Sequence, residues 1–422
     1  MGLTAAEKIF EAHTVEGTPR AGQFVTARVD RVLLNDVSGP VAFRQMRAMG
    51  AERVADPSRV VLVNDHFVPP KDVASAANLT VMRQFAREQG IEHFYDFTEG
   101  GIEHTLLPER GLVAPGELIA GGDSHTCTYG AFAALGTGLG STDMAALLAL
   151  GELWFQVPHT LRYDVVGSKR PFVSGKDLIL YLIGRFGVDG ATYMCMEFAG
   201  DGMAQFNMDE RMAICNMAVE AGAKTCIVEP DEVTRRWASG MAFNRPVREV
   251  RSDPDAEFAA RHTVKLDELV PLVACPHSPG NVRPVEEVRG VRVHQVYIGN
   301  CSNGTLTDLR QAAQVVRGKR VAKGVRAIVV PATQAIYRQA MAEGLLAVLM
   351  EAGFIVSAPT CGACFGGHMG VLDRGEVAVA TTNRNFRGRM GHPESQVYLA
   401  NAYVAAAAAI AGELVAPQAV AA

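Results

Sequence analysis

The sequence predicts an α/β protein with largely parallel sheets, and three observations lead to this prediction. Short apolar runs alternate with segments of helical periodicity along most of the chain, which is typical of parallel sheets covered by helices. Glycine or Asx turns that carry polar and ionisable residues follow several of these runs. A chain of 422 residues is too long for one compact core, so we expect two or three domains.

In the N-terminal part, three short apolar runs each precede a group of polar side chains. The runs predict strands at 60–63, 93–97 and 117–120, and the segment 78–89 has helical periodicity. The side chains that follow the three runs are, in order, Asp65 with His66, His104, and Asp123 with Ser124 and His125. A lone histidine after a strand is usually a satisfied turn residue, but the recurrence of this arrangement indicates a functional site.

A glycine-rich segment at 136–143, G-T-G-L-G-S-T-D, superficially resembles a dinucleotide-binding fingerprint. It lacks a clear apolar strand before it and an acidic partner at the required spacing. We therefore interpret it as a tight junction before a helix that runs through Leu150, with Asp143 stabilising that helix. No nicotinamide cofactor is expected.

The middle of the chain lies between two candidate domain boundaries, one near residue 158 and one in the polar, proline-bearing stretch 247–284. A helix predicted at 209–220 places Asn216 and Glu220 four residues apart and therefore on one face. From the residues alone we would interpret Glu220 as a solvated helix residue.

In the C-terminal part, three further apolar runs are followed by loops that carry chemistry. The runs predict strands at 293–298, 354–356 and 377–380. The side chains that follow them are Cys301, then Cys361 and Cys364, then Asn383, Arg384 and Arg389. Ligands bind outside the carboxyl ends of strands in open α/β sheets, so these loops can converge on one site.

The three cysteines leave several kinds of site open. A C-x-x-C pair alone fits a redox pair, half of a zinc site or part of an iron–sulfur site. A structural zinc takes four ligands, and His368, four residues after Cys364, is a candidate for the fourth. A four-iron cluster held by three cysteines leaves one iron open to a substrate. The number of thiolates favours the cluster, while the spacing alone leaves zinc open.

Composition and charge argue against several function classes. A net charge of -5 without a basic block argues against a general nucleic-acid or membrane surface. No apolar run is long enough to span a bilayer, and we interpret the alanine-rich segment 402–411 as a helix of small residues. The N-terminus carries a predicted capping box, Thr4 to Glu7, and no export signal. In a reducing cytoplasm, the remaining cysteines are expected to be small buried hydrophobes: Cys127, Cys195, Cys215, Cys226 and Cys275.

Three segments carry a resemblance to a known family. They are I-G-N-C-S-N-G-T-L-T-D-L-R, P-T-C-G-A-C-F-G-G-H-M-G and T-T-N-R-N-F-R-G-R-M-G. From the N-terminus to about residue 415 the chain resembles the aconitase superfamily, and within it the large subunits of the 3-isopropylmalate dehydratase and homoaconitase branch. The resemblance implies three α/β/α domains around a central cluster site, with boundaries that we place at 1–158, 159–284 and 285–422.

The resemblance also implies a role for each candidate residue. A 4Fe-4S cluster would be bound by Cys301, Cys361 and Cys364. The acid residues for the leaving hydroxyl would be Asp65 with His66, and His104. The iron-bound water would be held by Asp123, His125 and Glu220. The substrate pocket would be lined by Ser124, Asn216, Asn383, Arg384 and Arg389. Asn35 stands where aconitases proper carry Gln, so the resemblance leaves its role open.

The resemblance implies the activity of a hydro-lyase whose fourth domain is carried by another polypeptide. Single-chain aconitases have a fourth, swivelling domain that supplies a serine base and an arginine for the distal end of the substrate. This chain resembles large subunits whose fourth domain is a separate small polypeptide, so we expect a small-subunit partner and little activity without it. We favour 3-isopropylmalate on base rate; homoaconitate, 2,3-dimethylmalate, citraconate and maleate remain open. An RNA-binding relative would need a basic cleft and a fourth domain, and we expect neither.

Overall fold

The chain folds into α/β layers with mainly parallel sheets, as the alternation of apolar runs and helical segments predicts. The computed structural model describes residues 2–301 and 303–420. Within these residues the strands form four sheets, and parallel pairs dominate the three larger ones. The predicted fold class is confirmed.

The strands are short and mostly buried, as expected for sheets that helices cover on both faces. Their bounds are β1 Thr14–Gly17, β2 Phe24–Arg28, β3 Arg31–Asn35, β4 Val60–Val63, β5 His93–Tyr95, β6 Leu118–Gly121, β7 Leu135–Gly138, β8 Glu152–Gln156, β9 Thr160–Val166, β10 Cys195–Ala199, β11 Thr225–Val228, β12 Ala260–Lys265, β13 Leu272–Ala274, β14 Val282–Pro284, β15 Gln295–Ile298, β16 Arg326–Val329, β17 Ile355–Val356, β18 Val377–Ala380 and β19 Gln396–Ala400.

The helices alternate with these strands, and several begin at a residue that caps the helix through its side chain. Their bounds are α1 Ala5–His13, α2 Gly39–Ala48, α3 Val73–Gln89, α4 Glu103–Glu109, α5 Ser141–Leu150, α6 Gly175–Phe186, α7 Met208–Asn216, α8 Glu232–Ser239, α9 Leu306–Val316, α10 Gln334–Ala342, α11 Leu345–Ala352 and α12 Ala402–Ala411. The predicted capping box at Thr4 and Glu7 and the predicted alanine-rich helix at 402–411 are both confirmed.

The first parallel sheet has the strand order β5-β4-β3-β6-β7. Its central strand β3 pairs with β4 on one side and β6 on the other, in a register that places Leu33 beside Val61 and Gly121. A small antiparallel sheet, β1-β2-β8, accompanies it. The carboxyl ends of β3, β4 and β6 therefore lie side by side at one edge.

The second sheet is parallel with the order β11-β10-β9-β12, and the third has the order β14-β13-β19-β18-β15-β16-β17. In the third sheet β19 to β17 run parallel, while β13 and β14 are antiparallel additions. Both strands belong to the third sheet, although they lie on the N-terminal side of the boundary that the sequence analysis places after residue 284. The domain boundaries stay a prediction.

The glycine-rich segment 136–143 is a strand-to-helix junction, as interpreted from the sequence. The segment itself contributes to a strand, since β7 includes Gly136 and Gly138. A Cβ at Gly136 would lie 2.1 Å from the Thr126 carbonyl oxygen, so only glycine allows this approach. Asp143 lies in the first turn of α5, where a carboxylate is favourable.

A large apolar core joins side chains of the first, second and third sheets, including Val61, Phe198 and Tyr297. The predicted helix at 209–220 is α7, which ends at Asn216 and continues as the 3-10 turn Met217–Ala221. Within residues 2–301 and 303–420, none of the helices has both the length and the apolar character needed to cross a bilayer.

Candidate active site

Acid–base side chains lie at the carboxyl ends of the first parallel sheet. Asp65 and His66 lie two and three residues after the end of β4, and Asp123 lies two residues after the end of β6. His104 lies in the first turn of α4, on the segment that follows β5. Because β4, β3 and β6 are neighbouring parallel strands, these loops meet at one edge of the sheet.

His66 is held between two carboxylates. Its Nδ1 lies 2.6 Å from Asp65 Oδ1, and its Nε2 lies 3.8 Å from Asp123 Oδ2. Burial opposes the charged imidazole, but the Cys361 sulfur and the Asp65 carboxylate outweigh burial and raise the pKa of His66 well above 6.5. An imidazole oriented in this way suits general acid catalysis.

Asp36 anchors the turn that presents Asp65 and His66, and the sequence analysis did not single it out. Asp36 Oδ1 accepts the backbone N–H groups of Asp65 at 3.0 Å and His66 at 2.9 Å. Its Oδ2 accepts the backbone N–H of Phe67 at 2.8 Å. Burial raises the pKa of Asp36 despite these hydrogen bonds. One carboxyl group thus fixes the backbone of three consecutive residues.

Asp123 orients two further histidines. Its Oδ1 lies 3.0 Å from His104 Nε2 and accepts the backbone N–H of His125 at 2.7 Å. Burial opposes ionisation of Asp123, but hydrogen bonds from His104 and His125 outweigh it and lower the pKa of Asp123 well below 3.8. On the other ring nitrogen, His104 Nδ1 lies 3.4 Å from Tyr129 Oη.

Glu220 extends these contacts toward the third sheet. Its Oε1 lies 3.1 Å from His125 Nε2 and accepts Arg384 Nε at 2.8 Å, while Arg384 Nη2 donates to Ser124 Oγ at 3.1 Å. Burial opposes ionisation of Glu220, but His125 and Arg384 lower its pKa. We call the connected set the acid–base network: Asp65, His66, His104, Asp123, His125 and Glu220.

Three buried thiols border the acid–base network. Cys301, Cys361 and Cys364 are 6%, 5% and 6% exposed. Cys301 and Cys361 pack against Ile102, and the Cys361 backbone N–H donates to the Asp65 carbonyl at 3.0 Å. Burial raises the pKa of Cys301 well above 9.0, and the neighbouring sulfurs of Cys364 and Cys361 raise it further.

Polar side chains surround the cysteine loops. Asn383 Nδ2 lies 3.0 Å from Cys301 Sγ, and Asn216 Nδ2 lies 3.4 Å from the same sulfur. Such N–H donors favour the thiolate form of a cysteine. Arg389 donates through Nε to the Cys364 carbonyl at 2.9 Å. Every side chain that the sequence analysis assigned to the site therefore lies in or beside the acid–base network.

Lys176 is a buried cation behind Cys301 that the sequence analysis missed. Its Nζ donates to the Thr381 carbonyl at 2.6 Å, to Asn303 Oδ1 at 3.2 Å and to Asn383 Oδ1 at 3.5 Å. Burial lowers the pKa of Lys176 to about 8. The side chain ties α6, from the second sheet, to two loops of the third.

The structure also places His368, Cys275 and Asn35. His368 Nε2 lies 2.7 Å from the Pro69 carbonyl oxygen. In the part of the chain that the structure describes, the groups of side chains close enough to share one metal ion contain Cys361, but not Cys301, Cys364, His368 or Cys275. Asn35 donates through Nδ2 to Glu103 Oε1 at 3.0 Å. His368 therefore has one ring nitrogen engaged by a backbone carbonyl, and Asn35 has a buried partner.

Among the residues that sequence reasoning missed, only some left a usable signal. Asp36 is the first residue after β3 and Asp65 is the second after β4, so the strand-end rule could have found Asp36. Glu103 directly precedes His104 in G-I-E-H, and the sequence analysis assigned the chemistry of this segment to the histidine alone. Lys176 lies in a helix of ordinary composition, and nothing in its local sequence indicates a site.

Comparison with known proteins decides the family. The chain matches the model of the aconitase family (aconitate hydratase) over residues 7–289 and 285–412. The chain belongs to the aconitase family. The resemblance seen in the three cysteine and arginine segments is confirmed.

Curated relatives of this family member match it along nearly their whole length. The 3-isopropylmalate dehydratase large subunit 2 of Rubrobacter xylanophilus is 57% identical over 417 residues, covering 99% of this chain and 98% of that protein. The 3-isopropylmalate dehydratase large subunits of Moorella thermoacetica and Heliobacterium modesticaldum are each 52% identical over 418 residues, with 99% of both chains covered. A match to a solved structure, holo aconitase X of Thermococcus kodakaraensis, covers 85% of this chain and 84% of that chain at 12% identity, with a TM-score of 0.48.

Proposed function

We propose that this chain is the large subunit of a 4Fe-4S hydro-lyase that converts 2-isopropylmalate to 3-isopropylmalate. One observation carries the proposal: three buried thiols meet three histidine–carboxylate pairs where the loops of the first and third sheets converge. Membership of the aconitase family, and the shared name of relatives that match over nearly their whole length, support the same reaction class.

The donor set fits an iron–sulfur cluster. Soft thiolates are the ligands that bind iron–sulfur clusters, and Cys301, Cys361 and Cys364 are buried together. Three thiolates and a cluster bring negative charge into a buried site, and the amides of Asn216 and Asn383 can donate to the Cys301 sulfur. We infer that the three cysteines would hold a 4Fe-4S cluster with one iron free of protein ligands.

When bound, such a cluster would supply a Lewis acid for the hydroxyl that leaves. The chain supplies the proton for that hydroxyl. His66 Nδ1 is bonded to Asp65, so the proton on its Nε2 is the one that can be delivered. Asp123 contacts the Nε2 of His104 and accepts the backbone N–H of His125, so both histidines are placed where they can orient water or substrate beside His66.

Two arginines are suited to the carboxylates of the substrate. Arg384 uses Nε and Nη2 for Glu220 and Ser124, and Arg389 uses Nε for the Cys364 carbonyl. The remaining guanidinium N–H groups of each can bind a carboxylate in the fork geometry that arginine favours. Two such groups match the two carboxylates of a 2-hydroxy dicarboxylic acid.

The proton on carbon needs a base that we do not find among these residues. We infer that a small-subunit partner supplies it, which agrees with relatives that are named large subunits and match this chain over 98% or more of their length. We also place the protein in a reducing cytoplasm, where eight cysteines stay free and a cluster can persist.

The experiment combines the anaerobically reconstituted chain with the small subunit of a 3-isopropylmalate dehydratase and follows loss of 2-isopropylmalate. We expect turnover with the partner and little without it. Homoaconitate, 2,3-dimethylmalate, citraconate and maleate are run in parallel, and faster turnover of any of these would reassign the substrate. Full activity of the chain alone would contradict the partner.

His66→Asn tests the acid role in the same assay. Its matched control is His262→Asn, because His262 stacks on Tyr163 outside the acid–base network. We expect His66→Asn to retain the cluster and to lose on the order of 100-fold or more in kcat, the usual contribution of a general acid. The control should keep its activity.

A further inference from the structure

Glu103 is a buried carboxyl group in the acid–base site to which the proposed mechanism gives no part. It is 1% exposed and begins α4, directly before His104. Its Oε1 accepts Asn35 Nδ2 at 3.0 Å and lies 3.7 Å from His104 Nε2. Its Oε2 is buried and has no hydrogen-bond partner within residues 2–301 and 303–420.

The surroundings of Glu103 are rich in negative charge. From the loop after β4 it faces Asp65, whose Oδ2 accepts the Glu103 backbone N–H at 2.9 Å, and the more distant His66. From the loop after β6 it faces Asp123, and from the following 3-10 helix it faces Tyr129, whose hydroxyl donates to the Glu103 carbonyl at 3.4 Å. A carboxylate with a single donor cannot compensate the loss of its hydration in such a place.

We propose that Glu103 is a further positioning residue of this site and that it serves as a neutral, protonated acid, oriented by Asn35, beside the His104–Asp123 pair. The proposal deepens the proposed function, because it assigns a role within the same acid–base network. It also gives Asn35 a task, since the amide of Asn35 holds the one oxygen of Glu103 that faces His104.

The electrostatics agree with the geometry. Burial raises the pKa of Glu103 well above 4.5, and the charges of Asp65 and Asp123 raise it further, against smaller opposing effects of His66 and Asn35. An ionised Glu103 would compete with Asp123 for the proton of His104 Nε2. A neutral Glu103 leaves Asp123 as the anion that orients His104.

The pH dependence of unfolding tests whether Glu103 is protonated in the folded chain, and it requires no cluster, partner or substrate. Between pH 4.5 and the raised pKa of Glu103 the folded chain holds a proton that the unfolded chain releases. Stability therefore falls as pH rises through this range, by about tenfold in the unfolding constant per pH unit. We expect the pH dependence of urea unfolding for Glu103→Gln to lack this one-proton slope.

The control is Glu232→Gln, whose side chain is 73% exposed, and it should keep the wild-type slope. Glu103→Met is the second neutral variant, in case the glutamine variant does not fold. A wild-type slope in either Glu103 variant would mean that Glu103 is ionised in the folded chain and would overturn the proposal.

An activity measurement tests the positioning. With cluster and partner restored, we expect Glu103→Gln to keep kcat and the pH profile of kcat/KM within about twofold, because glutamine is also neutral and keeps an acceptor for Asn35. We expect Glu103→Ala to lower kcat on the order of 100-fold with little change in KM, the effect of a misplaced catalytic group. A displaced pH profile in Glu103→Gln would overturn the proposal. Absence of turnover in the wild type would instead count against the proposed function and leave the stability result standing.

Discussion

Glu220 accepts a hydrogen bond from Arg384 at 2.8 Å, although the two residues are 164 positions apart in the chain. Glu220 lies on the 3-10 turn after α7, and Arg384 lies on the loop after β18. The same Glu220 oxygen contacts His125, which follows β6. One carboxylate oxygen therefore links loops that belong to all three of the larger sheets.

Glu220→Gln tests how much the contacts of Glu220 with Arg384 and His125 contribute to activity. The amide keeps the size of the side chain but removes the negative charge that pairs with Arg384. It also weakens the Glu220 hydrogen bond that, together with the stronger effect of Asp123, raises the pKa of His125 against burial. We expect kcat/KM to fall by about 10²–10⁴, in the range of other acid–base residues. The control Glu232→Gln should leave kcat/KM unchanged, and an equal loss in both variants would contradict the role of Glu220.

Lys176→Met should destabilise the chain even without a cluster. It leaves Asn303 Oδ1 and the Thr381 carbonyl without the donor that Lys176 provides. Each unsatisfied buried acceptor costs about 1–3 kcal/mol, so we expect the free energy of unfolding to fall by about 3 kcal/mol in urea titrations. Lys265→Met is the control, because its ion pair with Glu268 is exposed and contributes less than about 1 kcal/mol. Equal losses would contradict a structural role for Lys176.

Gly362→Ala should disturb the turn between Cys361 and Cys364. Gly362 has a φ of +60°, and a Cβ there would lie 2.1 Å from Tyr297 Oη. Gly375 has a φ of +71° with open space around it, so Gly375→Ala measures the cost of the backbone conformation alone, about 1–2 kcal/mol. We expect the Gly362 variant to lose more unfolding free energy and to bind less iron after reconstitution. Equal behaviour of the two variants would show that the turn tolerates a side chain.

The His13–Asp30 pair should give a pH-dependent contribution to stability away from the site. His13 Nε2 lies 2.7 Å from Asp30 Oδ2. Burial opposes the charge on each side chain, but the interaction with the partner outweighs burial. The pKa of His13 is therefore raised above 6.5, and the pKa of Asp30 is lowered below 3.8. The His13 contribution is complete below pH 6.5 and is lost as pH rises through its raised pKa. The Asp30 contribution is complete above pH 3.8 and is lost as pH falls through its lowered pKa.

Asp30→Asn should therefore cost most between pH 3.8 and 6.5. We expect on the order of 1 kcal/mol for this partly exposed pair, shrinking at higher pH. Chemical unfolding at several pH values measures it. A loss that is constant from acid to alkaline pH would mean that the pair does not titrate as described.

The fold class followed from the sequence because buried parallel strands are continuous apolar runs. The predicted strands at 60–63 and 377–380 match β4 and β18 residue for residue. Helix α3 begins five residues before the predicted start at 78, because Asp72 accepts the Ser75 backbone N–H at 2.7 Å and starts the helix in a polar stretch. Periodicity finds the apolar face of a helix but is blind to such a cap.

The candidate site could be predicted where its residues come within three positions of a strand end, as Asp65, Asp123 and Cys301 do. Lys176 could not be predicted in this way, because its environment is made by Asn383, which lies 207 positions away. Glu103 was overlooked for a different reason: a carboxyl group beside a histidine has ordinary explanations, and its isolation from donors exists only in the folded chain.

Iron and sulfide analysis of the anaerobically reconstituted chain tests the central claim most directly. Wild type and Cys301→Ala are compared, with Cys275→Ala as a matched control, since Cys275 is also buried but packs in a different apolar cluster from Cys301 and Cys361. We predict about four iron and four sulfide in the wild type and in Cys275→Ala, and a clear loss of both in Cys301→Ala. A wild-type chain that carries one zinc, or a cluster indifferent to Cys301, would contradict the three-thiolate site.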